Sequence, residues 1–182
     1  MILENRPCWL YFDLEFSLES NPLLKPKVVM HAFRKTLETF CKDMLGMTLD
    51  TTKMLELESS TPKKFSRHVI VKALGEYPDG DDGGGVQRAL AFANNAQTGL
   101  LVNHLVKYAD AHRDESWSLS RYLFVEPPGR DERERQVCVI DESVYLVGDW
   151  NMTFMNFHSV GNVIIPIDEY FSEGFVETTN QV

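Results

Sequence analysis

Two short runs of the chain place polar side chains two residues apart among bulky apolar ones: Tyr11-Phe12-Asp13-Leu14-Glu15-Phe16 and Lys64-Phe65-Ser66-Arg67-His68-Val69-Ile70-Val71. In an extended strand, residues i and i+2 share a face and lie about 6.5–7 Å apart. Asp13 and Glu15 are therefore expected to point together, as are Ser66 and His68. Phe12, Leu14 and Phe16 would turn the other way, into a core. Neighbouring carboxylates repel unless a cation lies between them, and a carboxylate-rich face is a usual seat for a divalent metal. A third acid, Asp141, follows the apolar run Val137-Cys138-Val139-Ile140. Each acid taken alone has a bland reading, since a lone strand aspartate is usually solvated or caps a turn, and the Asp-x-Glu pair by itself is a weak signal.

The elements that must position these residues follow from periodicity. Residues 9–16 have the bulk of a strand, with Trp9, Leu10, Tyr11, Phe12 and Phe16. Val29, Phe33, Leu37, Phe40, Cys41 and Met44 recur at helical spacing from about Lys27 to Leu45, with Gly46 placed as a C-terminal cap. Met54–Ser59 alternates, Ser60-Thr61-Pro62-Lys63 turns, and Lys64–Lys72 returns, so an antiparallel hairpin is expected. Residues 77–85 (YPDGDDGGG) form a loop; its aspartates and its lack of Gly-Lys-Ser/Thr rule against a phosphate loop. Residues 88–93 suggest one short strand. Leu100, Leu101, His104, Leu105 and Tyr108 mark a second helix from about Gln97 to Ala111, and 113–120 are a polar linker. Strands are expected at Arg121–Glu126, Gln136–Ile140, Val144–Leu146, Met152–Phe157 and Val163–Ile165. Hairpin-connected strands with two helices on one side make the class α+β.

The chain has 182 residues, 43% hydrophobic, enough for one good-sized domain with a real core. Its net charge of −9 argues against non-specific adhesion to nucleic acid or anionic membrane. Cys8, Cys41 and Cys138 include no Cys-x-x-Cys pair, which disfavours a zinc knuckle, and their odd number favours a reducing compartment. The start, MILENRPCWLYF, lacks the pattern of a signal peptide, and no stretch reaches the roughly 20 apolar residues of a membrane span.

YFDLEF, SSTPKKFSRHVIV and VIDESVY together resemble the three catalytic motifs of the archaeo-eukaryotic primase superfamily, most closely those of its eukaryotic primase-polymerases. The central motif, Ser59-Ser60-Thr61 followed by Lys64 to His68, is the most specific of the three. The resemblance implies a mixed, mainly antiparallel sheet with an RRM-like core. It implies template-directed nucleotidyl transfer by a two-metal mechanism, serving replication fork restart and damage tolerance. On that basis Asp13 and Glu15 match the Asp-x-Glu metal ligands and Asp141 the third catalytic acid. Ser66 and His68 match the nucleotide-binding motif, Lys64 a lysine near the incoming triphosphate, and Arg67 faces away. The implied cofactors are two ions of Mn2+ or Mg2+, between which these ligands do not choose. The implied partners are a single-stranded DNA template, nucleoside triphosphates and a replication protein, with the chain a monomer in the nucleus and/or mitochondrion. Residues 1–171 would be the catalytic core, shortened at both ends relative to the family, and 172–182 a polar tail.

One departure supports an alternative. Residues 136–182 contain no lysine or arginine, and Val147, Asp149, Met152 and His158 stand where the family carries basic contacts. Charge-assisted phosphate contacts contribute about 1.5–3 kcal/mol each. A weak or inactive primase-like domain that binds nucleotide, template or a partner is the second expectation. A third, an α+β domain with decorative surface acids, requires Asp13, Glu15 and Asp141 to lie far apart.

Overall fold

The computed structural model describes residues 7–71, 74–77, 86–129 and 135–145. The expected strands at Met152–Phe157 and Val163–Ile165, the tail 172–182, and most of the 77–85 loop lie outside them.

Strand β1 (Cys8–Ser17) alternates strictly, with Leu10, Phe12, Leu14 and Phe16 buried and the residues between them facing the other side. Helix α1 (Pro26–Leu45) has Pro26 in its first turn, where the missing N–H costs nothing, and ends on Gly46 at φ 59°, a left-handed cap. Its stripe of Val29, Phe33, Leu37, Phe40 and Cys41 is fully buried. Phe33 meets Phe12 edge to face at 4.9 Å, so the helix covers the side of β1 opposite to Asp13 and Glu15. Truncating either ring would cost about 3–5 kcal/mol and loosen the strand that carries the acids.

Strands β2 (Thr48–Leu49), β3 (Met54–Glu58), β4 (Lys64–Val71), β5 (Leu74–Tyr77), β6 (Val86–Ala89) and β7 (Ala91–Phe92) follow. The main sheet has the order β3-β4-β1-β7, and β2-β5-β6 form a smaller one. Every strand pairing among the described residues is antiparallel. The fold class is α+β, as expected. Helix α2 (Asn95–Ala111) opens on Asn94, whose side chain accepts from the Gln97 N–H. It packs against α1 through the Phe40–Tyr108 ring contact and against β1 at Cys8, whose Sγ lies 3.3 Å from Thr98 Oγ1. Strands β8 (Phe124–Val125) and β9 (Val137–Cys138) form a third, two-stranded sheet.

Four local expectations need correction. Residues 88–93 are not one strand: β6 and β7 belong to different sheets, and the chain changes sheet at the buried Leu90. Arg121–Glu126 is strand only at β8, because Ser120–Leu123 form a 3-10 turn, preceded by a local bond from the Ser120 N–H to Ser118 Oγ. Val144 is not in a strand either. Asp141 caps a 3-10 turn, Glu142–Tyr145, by accepting from the Ser143 N–H at 2.9 Å. Tyr77 ends β5 instead of opening the loop. Among the described residues, no helix is long and apolar enough to cross a membrane.

Candidate metal centre

Register builds the site. β1 pairs with β4 so that Asp13 stands opposite His68, Glu15 opposite Ser66, and Ser17 opposite Lys64. Directly opposed residues in an antiparallel ladder share a face. Asp13, Glu15, Lys64, Ser66 and His68 therefore occupy one face, while Phe12, Leu14 and Phe65 fill the other. Arg67 lies on that second side, opposite Leu14, and pairs with Glu58 at 2.5 Å.

The remaining acid arrives along the other edge of β1. β7 covers that edge only at Cys8 and Trp9. Farther along, Ile140 bridges to Leu14: the Asp141 N–H donates to the Asp13 carbonyl at 2.9 Å and the Glu15 N–H to the Val139 carbonyl at 2.8 Å. This pairing sets Asp141 opposite Asp13, and therefore on the same face. Oxygens of Asp13, Glu15 and Asp141 all lie within 4.8 Å of one another. That convergence excludes the reading in which the acids are scattered decoration.

The charge balance fits a hard divalent cation. Burial pushes the Asp13 carboxyl above the usual carboxylate range; His68 acts against the shift, and the Glu15 and Asp141 charges add to it. Asp13 Oδ1 is buried and receives no hydrogen bond, and His68 Nδ1 lies 3.4 Å from it. A buried carboxylate oxygen without a donor carries a real desolvation cost. Lys64 Nζ pairs with Glu15 Oε2, and that contact raises the lysine pKa. One ammonium and one imidazole stand against three carboxylates, leaving room for added positive charge. Asp13, Glu15 and Asp141 form an all-oxygen donor set of the kind that could hold a divalent metal ion.

Ser66 is held more firmly than its motif alone suggests. It is 6% exposed. Its hydroxyl lies 2.9 Å from Ser59 Oγ, its N–H donates to Ser60 Oγ at 3.1 Å, and its carbonyl accepts from the same hydroxyl at 3.2 Å. Ser59 and Ser60 thus clamp the strand between Lys64 and His68. Two clefts meet at the acids. One of about 580 Å³ is lined by Glu15, Lys64 and Asp141 among others; the second, of about 400 Å³, includes Tyr11, Asp13, His68 and Asn95.

Sequence reasoning missed the support behind Asp141. Tyr145 is 1% exposed, donates its hydroxyl to the Tyr11 carbonyl at 2.5 Å, and sets its ring 5.0 Å from that of Tyr11 at a tilt of 38°. A Cβ on Gly99 would lie 2.6 Å from Tyr145 Cβ, so α2 needs glycine there to admit the 3-10 turn. Asn103 donates to Glu142 across the same junction at 2.9 Å. A glycine inside the apolar stripe of a helix costs about 1 kcal/mol against alanine, and that cost was the available signal of a close approach.

No family model matches the sequence. The chain is 40% identical over 73 residues to the DNA-directed primase/polymerase protein of Homo sapiens, which covers 38% of this chain and 12% of that protein. It is 38% identical over 112 residues to the protein of the same name from Bos taurus, covering 60% of this chain and 17% of the relative. With the Mus musculus protein the figures are 34% over 109 residues, 60% and 18%. The matches therefore span less than a fifth of the length of these curated relatives. On sequence similarity, the chain is PrimPol-like, a relative of the DNA-directed primase/polymerase proteins over the part of their length that it matches.

Proposed function

We propose that this chain carries out metal-dependent, template-directed nucleotidyl transfer, acting as a DNA primase/polymerase on single-stranded DNA with nucleoside triphosphates. One observation carries the reading: the β1–β4 register and the Leu14–Ile140 bridge bring three acids to one sheet face, with Lys64 and His68 one strand away. In the reaction, a primer 3′-oxygen bonds to the α-phosphorus, the α–β anhydride bond breaks, pyrophosphate leaves, and the hydroxyl proton is lost. Asp13, Glu15 and Asp141 would hold two divalent ions, which supply positive charge to the attacking and leaving oxygens. Lys64 and His68 offer donors to the triphosphate. Ser59 and Ser60 fix the backbone at Ser66, between the points from which Lys64 and His68 project, so the strand is in place before the nucleotide arrives. The expected setting is DNA replication and damage tolerance in the nucleus and/or mitochondrion, with the chain acting as a monomer beside a replication protein.

Extension of a templated primer in Mn2+ or Mg2+ tests this proposal. The folded protein should extend and Asp13→Ala should not; no extension in either metal refutes it. The absence of lysine and arginine from residues 136–182 favours a second reading, in which nucleotide or template is bound without turnover. Metal-dependent nucleotide binding by a protein that extends nothing selects that reading.

A further inference from the structure

Lys64 is the one lysine among the described residues whose ammonium reaches the acid cluster. It is bound to Glu15 and lies close enough to feel Asp13 and Asp141 as well. Its neighbour Lys63 is turned to Glu19 at 3.2 Å. Lys64 stands where the sheet face opens into the larger cleft, with its side chain 48% exposed, so it can swing into solvent without unpacking anything. A divalent ion held by Asp13, Glu15 and Asp141 would use the same Glu15 carboxylate and repel the ammonium beside it.

We propose that Lys64 is the resident counter-ion of the carboxylate cluster in the metal-free protein, and that divalent metal displaces it from Glu15, freeing its ammonium to bind the phosphates of the substrate. The inference rests on the metal-dependent reading above and adds an order of events. Before metal arrives, the lysine neutralises Glu15 and is withheld from anions. Once metal takes over Glu15, the ammonium loses its partner while the site gains a reason to hold phosphate. Metal and triphosphate then promote one another's binding, since coupling between two ligands is reciprocal.

The signature is a pair of opposite signs at one residue. Lys64→Ala removes a competitor for Glu15, so in the absence of any anion it should bind Mn2+ roughly two- to five-fold more tightly than the unaltered chain, the factor an ion pair of this exposure supplies. With Mn2+ present, the same variant should bind inorganic triphosphate roughly ten-fold or more weakly, because a charge-assisted contact is gone. Lys53→Ala is the charge-matched control: Lys53 pairs with Asp50 at 3.4 Å and adjoins the opposite end of β4, beyond the screening length of about 8–10 Å. It should leave both affinities unchanged.

Calorimetric titration of the whole chain with Mn2+, and then with triphosphate, reads both signs. Tighter Mn2+ and weaker triphosphate in Lys64→Ala alone support the inference. Equal or weaker Mn2+ binding in Lys64→Ala overturns it and leaves the metal site standing. If neither the unaltered chain nor the variant binds Mn2+, the metal site and the inference fall together.

Discussion

Replacing Gly99 with alanine is normally a stabilising change in a helix, by about 0.8–1 kcal/mol. Here it should do the reverse. The new Cβ would sit 2.6 Å from Tyr145 Cβ, 3.3 Å from its Cγ and 3.9 Å from its Cα. Ordinary carbon–carbon contact is about 3.5–4.0 Å, so the 3-10 turn must retreat by about 1 Å. Overpacking of this kind costs about 1–3 kcal/mol, which offsets the propensity gain of about 0.8–1 kcal/mol and leaves the variant less stable by up to about 2 kcal/mol. For a chain of this size each kcal/mol moves Tm by about 2–4 °C. The retreat also carries Asp141, four residues upstream and tied to the same turn through Ser143. Changes in the groups that orient metal ligands typically cost 10–100-fold in affinity, and Mn2+ binding should weaken by about that much. Thermal unfolding and Mn2+ titration of the purified variant check both effects. A Gly99→Ala protein that melts higher and binds Mn2+ as before would refute the claim that the α2–Tyr145 junction positions Asp141.

Three further changes have definite expected outcomes. Asp13→Asn should raise the Tm of metal-free protein at neutral pH: burial lifts the folded-state pKa above the unfolded one, so stability falls as pH rises through that interval and stays lower above it. The advantage of the variant should vanish below about pH 4, where the wild-type carboxyl is protonated in both states; an equal Tm difference across the range would contradict this. Asp141→Asn keeps an acceptor for the Ser143 N–H, so circular dichroism and Tm should stay close to wild type while primer extension is lost. Ser59→Ala removes the partner of the Ser66 hydroxyl; it should cost about 1 kcal/mol in denaturant unfolding and raise KM for nucleotide more than it lowers kcat.

Much of the site was legible because strand geometry is simple. The period of two in Asp13-Leu14-Glu15 and Ser66-Arg67-His68 fixes which side chains share a face, and the bulk of Phe12, Leu14 and Phe16 fixes which face is buried. Both helices were visible in their apolar stripes, and Pro26 and Gly46 bounded the first of them. Strand order was harder, because pairing across a long chain is decided by the whole core and not by local composition. β2 and β5 were missed for that reason: they are two and four residues long, and each is defined by its partner. Residues 88–93 failed differently. After Arg88 the run Ala89–Ala93 is apolar throughout and suits both sheets, and only tertiary packing of Leu90 divides it. Tyr145 was read as strand because its neighbours Val144 and Leu146 are apolar, yet the Asp141 cap wins locally and turns the chain. The shared edge of β1, with β7 at one end and residues 139–141 at the other, has no sequence signature at all.

The claim on which the account turns is that Asp13, Glu15 and Asp141 share bound cations. Crystals grown with Mn2+ and a non-hydrolysable nucleoside triphosphate, measured at the manganese absorption edge, test it directly. The account predicts anomalous density within coordination distance of carboxylate oxygens from all three residues, with Lys64 Nζ moved off Glu15 and onto phosphate. Density elsewhere, or none while nucleotide is bound, would contradict it.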